Sequence, residues 1–149
     1  MKIVQLDEKQ IKGIGTRTTN ANEMNPETSK IGTLCQQFDE KVLVNYKNGA
    51  RVFVVYNNYE SDYSGAFSVL AGSDQIDKTI ISNLENVTVP GGIYMVFEAK
   101  GEVPQVVIET WSKIWNYFSI EDSQYQRAYT TDFEFYKNQN EIEIYIAVR

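Results

Sequence analysis

The sequence has no histidine and a single cysteine, Cys35. Serine–histidine and cysteine–histidine nucleophile pairs are therefore excluded, because both need an imidazole base. Zinc sites built from Cys and His fall with them, as does any internal disulfide. Nothing in the chain calls for a metal or a cofactor. No apolar run approaches the ~20 residues of a membrane-spanning helix. The N-terminus turns polar after Leu6, unlike a secretory leader. With neither leader nor span, a cytoplasmic protein without membrane contact is expected. Basic residues are few, 14 Lys and Arg against 20 Asp and Glu, and they are scattered. Direct nucleic-acid binding is not expected, since such proteins cluster positive charge on one face.

Aromatic residues are plentiful: ten Tyr, seven Phe and two Trp. Tyrosine joins a flat apolar face to a polar tip, which suits a pocket that grips organic compounds. It also favours strands, so composition alone fits either an aromatic pocket or a β-rich fold. Any chemistry must come from Glu, Asp, Tyr, Lys, Cys35 or the backbone.

At 149 residues the chain fits one domain with its own core. Residues 2–6 read as a first strand, and 10–20 as an extended run kinked at Gly13-Ile14-Gly15. That Gly-x-Gly is a poor phosphate loop, because the third glycine position is Thr18 and no buried strand leads into it. Asn25-Pro26 is expected to open a helix. Ile31, Leu34, Cys35 and Phe38 then recur at i, i+3, i+4 and i+7, one apolar stripe. On that stripe Cys35 reads as a small buried hydrophobe. Lys47-Asn48-Gly49 is a turn, and residues 51–56 and 66–71 are strands. The loop between them carries Tyr59, Glu60 and Tyr63. Residues 75–84 read as loop or short helix. Pro90-Gly91-Gly92 interrupts an extended stretch over 87–98. Pro104 opens a second helix with the stripe Trp111, Ile114, Trp115 and Phe118. Residues 125–149 form a hairpin about Lys137–Asn140. Ile142, Ile144, Ile146 and Val148 alternate there with Glu141, Glu143, Tyr145 and Ala147.

Strand, helix, strand, strand thus occurs twice, in halves of about 1–74 and 85–149. The two helix stripes correspond, and a proline precedes each. Helices that each bury one stripe need a common sheet, so both are expected on one face with a groove between them. Glu134, inside Phe133-Glu134-Phe135-Tyr136, is the odd residue. It lies either on a solvated face beside Asp132 and Tyr136 or inside for a purpose. Alternation does not decide, because both sides of this strand carry aromatics.

Several stretches, in this order, resemble the GyrI-like small-molecule-binding family, also called the AraC-type effector-binding domain. They are Gly13 to Thr19, Val55 to Asp62, Gly91 to Tyr94, Trp111 to Phe118, Asp132 to Tyr136 and Ile142 to Val148. The resemblance covers nearly the whole chain. It implies an α+β fold: a duplicated βαββ module, an eight-stranded and mostly antiparallel sheet, and two helices on one face over a central groove. It further implies binding of lipophilic organic cations or amphipathic compounds in an aromatic pocket around one buried glutamate, at Glu134. Tyr56, Tyr94, Trp111, Trp115, Tyr136 and Phe53 are the candidate walls. Trp111 and Trp115 also suit plain core packing. The chain departs from the family in carrying Cys35 where the first helix often has Trp. No helix-turn-helix precedes Lys2, so a stand-alone member is expected, with any link to transcription regulation or drug sensing passing through a separate regulator protein. Two alternatives accompany this reading. One is a small-molecule hydrolase using Glu134 as base and Tyr94 or Tyr136 as hydroxyl donor. The other is a gyrase- or regulator-interacting protein.

Overall fold

The chain opens with β1 (Lys2–Leu6) and β2 (Lys9–Thr19), a one-turn helix α1 (Asn20–Glu23) and the long helix α2 (Ile31–Lys41). β3 (Val42–Val44) and a 3-10 turn at Tyr46–Asn48 lead to β4 (Val52–Asn57) and β5 (Ala66–Ser73). β6 (Ile76–Thr79), β7 (Glu85–Val89) and β8 (Gly92–Lys100) follow. The second long helix, α3 (Gln105–Phe118), precedes the closing pair β9 (Arg127–Tyr136) and β10 (Glu141–Val148). This computed structural model describes residues 1–120 and 123–149.

Eight strands form one antiparallel sheet in the order β1-β8-β10-β9-β4-β5-β2-β7. The order reads symmetrically outward from the β9–β4 seam. The outermost strands are exchanged: β1 pairs with β8, and β7 pairs with β2. Strands β2 and β5 approach closely at Gly13, where a Cβ would stand 2.0 Å from the Ala71 carbonyl oxygen. At the seam, Val54 lies opposite Glu134 and Tyr56 opposite Asp132. Paired residues of neighbouring strands point to the same side, so all four share one face.

That face carries both long helices. α2 buries Leu34 and Phe38 against Val54, Tyr56, Val69 and Ala71. α3 buries Val106 and Ile114 against Met95, Phe97, Ile142, Ile144 and Ile146. Each fully buried aliphatic side chain contributes about 1.5–3 kcal/mol. The opposite face has its own core of Phe53, Val55, Leu70, Tyr94 and Phe133, with the Phe133 and Tyr145 rings stacked at 4.5 Å. Trp111 and Tyr136 touch the clusters under both helices. The seam above β9 and β4, where the two clusters adjoin, is therefore aromatic.

The eight-stranded antiparallel α+β architecture stands as expected, with three differences. Pro26 does not open a helix; it sits in a turn, and α2 starts at Ile31. The start is set instead by Glu23, whose carboxylate accepts from the backbone N–H of Lys30 at 2.9 Å and of Ile31 at 3.1 Å. Two of the helix's unpaired first-turn donors are satisfied that way. Residues 75–84 are neither loop alone nor helix: β6 pairs with β3 in a separate two-stranded sheet. The short α1 is a third helix beyond the two expected.

Candidate functional site

Glu134 lies on β9, in the middle of the sheet, and is 3% exposed. Three side chains from three elements donate to its carboxylate. Tyr56 of β4 reaches Oε2 at 2.6 Å. Trp111 of α3 reaches the same oxygen through its indole Nε1 at 2.7 Å. Tyr136, two residues along β9 on the same face, donates its hydroxyl to Oε1 at 2.7 Å. The helix supplies Trp111 because Ile114, three residues on, is anchored in the core, which directs that face of α3 at the sheet. Trp111 also meets Tyr56 edge-on at 5.4 Å.

Burial raises the Glu134 pKa by penalising the charged form, while the donors from Tyr56, Tyr136 and Trp111 pull it back in part. None of the ion pairs among the described residues involves Glu134. It is a buried carboxylate held by hydrogen bonds alone. Burial likewise pushes the Tyr56 and Tyr136 hydroxyls well above their ordinary range, with the neighbouring Glu134 charge adding to it. They act as donors and do not ionise. Cys35 faces the same region, and burial, then Glu134, then Asp39 push its thiol up to about 12.

A second buried charge sits one alternation earlier. Asp132 is fully buried. Its Oδ2 accepts from Arg127 Nη2 at 2.7 Å and from the Tyr59 hydroxyl at 2.5 Å. Its Oδ1 accepts from the Ala147 N–H at 3.0 Å. The Arg127 guanidinium lies 4.5 Å from the Tyr129 ring centre. Tyr129 itself has a left-handed backbone with φ of 53°, a conformation that costs about 1–3 kcal/mol outside glycine. Sequence reasoning missed this cluster. A clue was available, because Arg127 and Asp132 are oppositely charged residues within one aromatic strand.

Beside the Glu134 cluster opens a cavity of about 670 Å³. Cys35 and Phe38 of α2, Val54 and Tyr136 line it, with Asp39 and Arg51 among its polar walls. Its volume is that of drug-sized sites. Tyr136 lines the cavity while its hydroxyl holds Glu134, so that ring stands between the open space and the carboxylate.

Of the residues singled out from sequence, Glu134, Tyr56, Trp111 and Tyr136 come together. Phe53 and Tyr94 do not: both belong to the core on the opposite face of the sheet. The Tyr94 hydroxyl donates to the Pro90 carbonyl at 2.7 Å, so a Glu134–Tyr94 catalytic pair does not form. Trp115 turns outward, 39% exposed, and meets Tyr63 edge-on at 5.5 Å. Glu60 is exposed in the loop after β4. Among the described residues no group of three or more Cys, Asp or Glu could hold a metal ion, and no helix is long and apolar enough to cross a membrane.

Residues 2–148 match the family described as Cass2, integron-associated effector binding protein. An integron cassette protein from the mobile metagenome of Vibrio cholerae is 45% identical, with a TM-score of 0.89 over 99% of this chain and 95% of that one. YobU of Bacillus subtilis (strain 168), a candidate transcriptional regulator, is 31% identical over 99% of this chain and 96% of its own length. The structure of SAV2435 bound to tetraphenylphosphonium shares the fold at 21% identity, with a TM-score of 0.71 over 99% of this chain and 93% of that one. With the match running almost end to end, the chain belongs to the family of integron-associated effector binding proteins, built on the GyrI-like fold.

Proposed function

We propose that this protein binds lipophilic organic cations and related amphipathic compounds in the aromatic seam around Glu134, as a drug- or effector-sensing module tied to transcription regulation. One observation carries the reading: a carboxylate in the middle of the fold has three neutral donors and, among the described residues, no ion-pair partner. A buried charge normally has a charged partner or a metal. An incoming onium group would supply that partner. Aromatic faces add about 0.5–2 kcal/mol each by cation–π attraction. Trp111 and Tyr136, the donors that are only partly buried, are the ones to yield, whereas Tyr56 is fixed in the core. Access runs through the cavity behind Tyr136. SAV2435 was solved with such a cation bound, and the relationship to YobU, a candidate transcriptional regulator, supports the regulatory link.

The test is calorimetric titration with tetraphenylphosphonium. In Glu134→Gln the amide oxygen can still accept from Tyr56 and Trp111, so the fold is kept while the charge goes. Two unit charges ~4 Å apart at an effective dielectric of ~20 interact by about 4 kcal/mol. After desolvation we expect about half of that to remain, a loss of roughly 30-fold in affinity. Equal affinity of wild type and variant sinks the proposal. A hydrolase using Glu134 and Tyr136 is the weaker reading. The Tyr136 hydroxyl is pushed up by burial, which makes it a poor proton donor at neutral pH. Turnover of an electrophilic ester that disappears in Glu134→Gln would reverse that preference.

A further inference from the structure

Arg127 begins β9 and is 8% exposed. One of its N–H groups, on Nη2, is spent on Asp132. Its Nε–H is sealed from solvent and meets no acceptor among the described residues. Buried donors without partners are rare, and each calls for an explanation. Asp132 does not offer one, since Arg127 reaches it through Nη2 alone. Within the fold, then, Arg127 is placed and oriented but incompletely used.

Its position relative to Trp111 gives the orphaned group a use. The guanidinium carbon lies 5.9 Å from the Trp111 ring centre. The same indole donates its N–H to Glu134. Trp111 therefore borders both groups: its N–H edge meets Glu134, which has no ion-pair partner among the described residues, and its face carries the Arg127 guanidinium, whose Nε–H has no acceptor among them. A ligand that displaces the indole meets both, separated by about the width of the ring that left. Arginine suits this second role because its donors form a rigid fork matched to carboxylates.

We propose that the ligands of this pocket are aromatic zwitterions, with an onium centre for Glu134 and, one ring away, a carboxylate for the Arg127 Nε–H. This rests on the cation-binding reading of Glu134 and adds a ligand class to it. It runs against the net charge of −6, which by itself disfavours a carboxylated ligand.

Two matched probes decide it: tetraphenylphosphonium and (4-carboxyphenyl)triphenylphosphonium, titrated calorimetrically into the full chain at neutral pH. Wild type is expected to bind the carboxylated probe about tenfold more tightly, the worth of one charge-assisted hydrogen bond. The methyl ester of that probe, which lacks the charge, is expected to fall back to within about threefold of tetraphenylphosphonium. Arg127→Lys keeps a positive charge facing Asp132 but has no Nε–H, and is expected to abolish the preference while still binding tetraphenylphosphonium. Equal binding of acid and ester by wild type overturns the proposal, as does an undiminished preference in Arg127→Lys. If that variant does not fold, the acid–ester comparison in wild type decides alone. Failure of the underlying cation reading has a separate signature: tetraphenylphosphonium binding unchanged by Glu134→Gln, which removes both proposals together.

Discussion

Replacing Tyr56 by Phe deletes one oxygen and leaves the ring packed against Phe67 and Trp111. What is lost is one donor, 2.6 Å from the Glu134 carboxylate. A hydrogen bond to a charged group contributes about 1.5–3 kcal/mol, and one to a neutral group about 0.5–1.5. Tyr56→Phe is therefore expected to cost about 2 kcal/mol when Glu134 is ionised and about 1 kcal/mol when it is protonated. The sign follows from linkage. Burial already holds the folded pKa of Glu134 above its unfolded value. Its contribution to stability is thus complete below the unfolded value and is lost as pH rises through the folded one. Removing a donor to the charged form raises the folded pKa further, so the variant loses more stability over that rise than wild type does. Thermal melts at pH 5 and pH 8 read this directly. For a domain of this length about 2 kcal/mol corresponds to roughly 4–8 °C. The melting temperatures of wild type and variant are expected to diverge with rising pH. Parallel curves, or a loss at pH 8 no larger than the ~0.5 kcal/mol of an ordinary surface change, would refute the picture of Tyr56 as a donor to a buried charge.

The same linkage predicts that Glu134→Gln, which cannot ionise, gains stability relative to wild type from pH 4.5 to pH 8; a pH-independent difference counts against it. Arg127→Met leaves Asp132 buried without its cation and is expected to cost about 3–5 kcal/mol in urea unfolding. Adding Asp132→Asn should restore most of that, and no recovery in the double variant would mean the two charges are not coupled. Cys35, its thiol pushed up to about 12 by burial and by the charges of Glu134 and Asp39, is expected to react with a disulfide reagent at pH 8 at least about a hundredfold more slowly in the folded protein than in urea. Comparable rates would place the thiol in solvent.

The apolar patterns that seat the helices were readable because they are local. The stripe of Leu34 and Phe38 and that of Ile114 have a period that one helix alone defines, and both face the core. The alternation of Ile142, Ile144 and Ile146 is equally self-contained. Phe53 and Tyr94 were misplaced for the opposite reason. Which face a strand residue takes is set by register with its neighbours, and here both faces of the central strands are buried and aromatic. Glu134 stood in that same ambiguity; the resemblance, not the alternation, pointed it inward. Arg127 and Asp132 meet through a non-helical stretch containing the left-handed Tyr129, a geometry that no periodicity encodes. Glu23 overrode Pro26 as the starter of α2 by a contact reaching seven and eight residues along the chain, beyond the reach of a capping-box pattern.

The exchanged outer strands bear on how this protein comes apart. β1 finishes the edge beside β8, and β7 finishes the edge beside β2. Neither end of the sheet is therefore built from one contiguous segment. Peeling away the N-terminal strand uncovers the edge of the C-terminal portion, and freeing the middle of the chain uncovers the edge of the N-terminal one. The arrangement sets the aromatic seam at β4 and β9 inside a sheet that interleaves the two halves of the chain, so cutting the chain in two leaves neither half with its own complete edge.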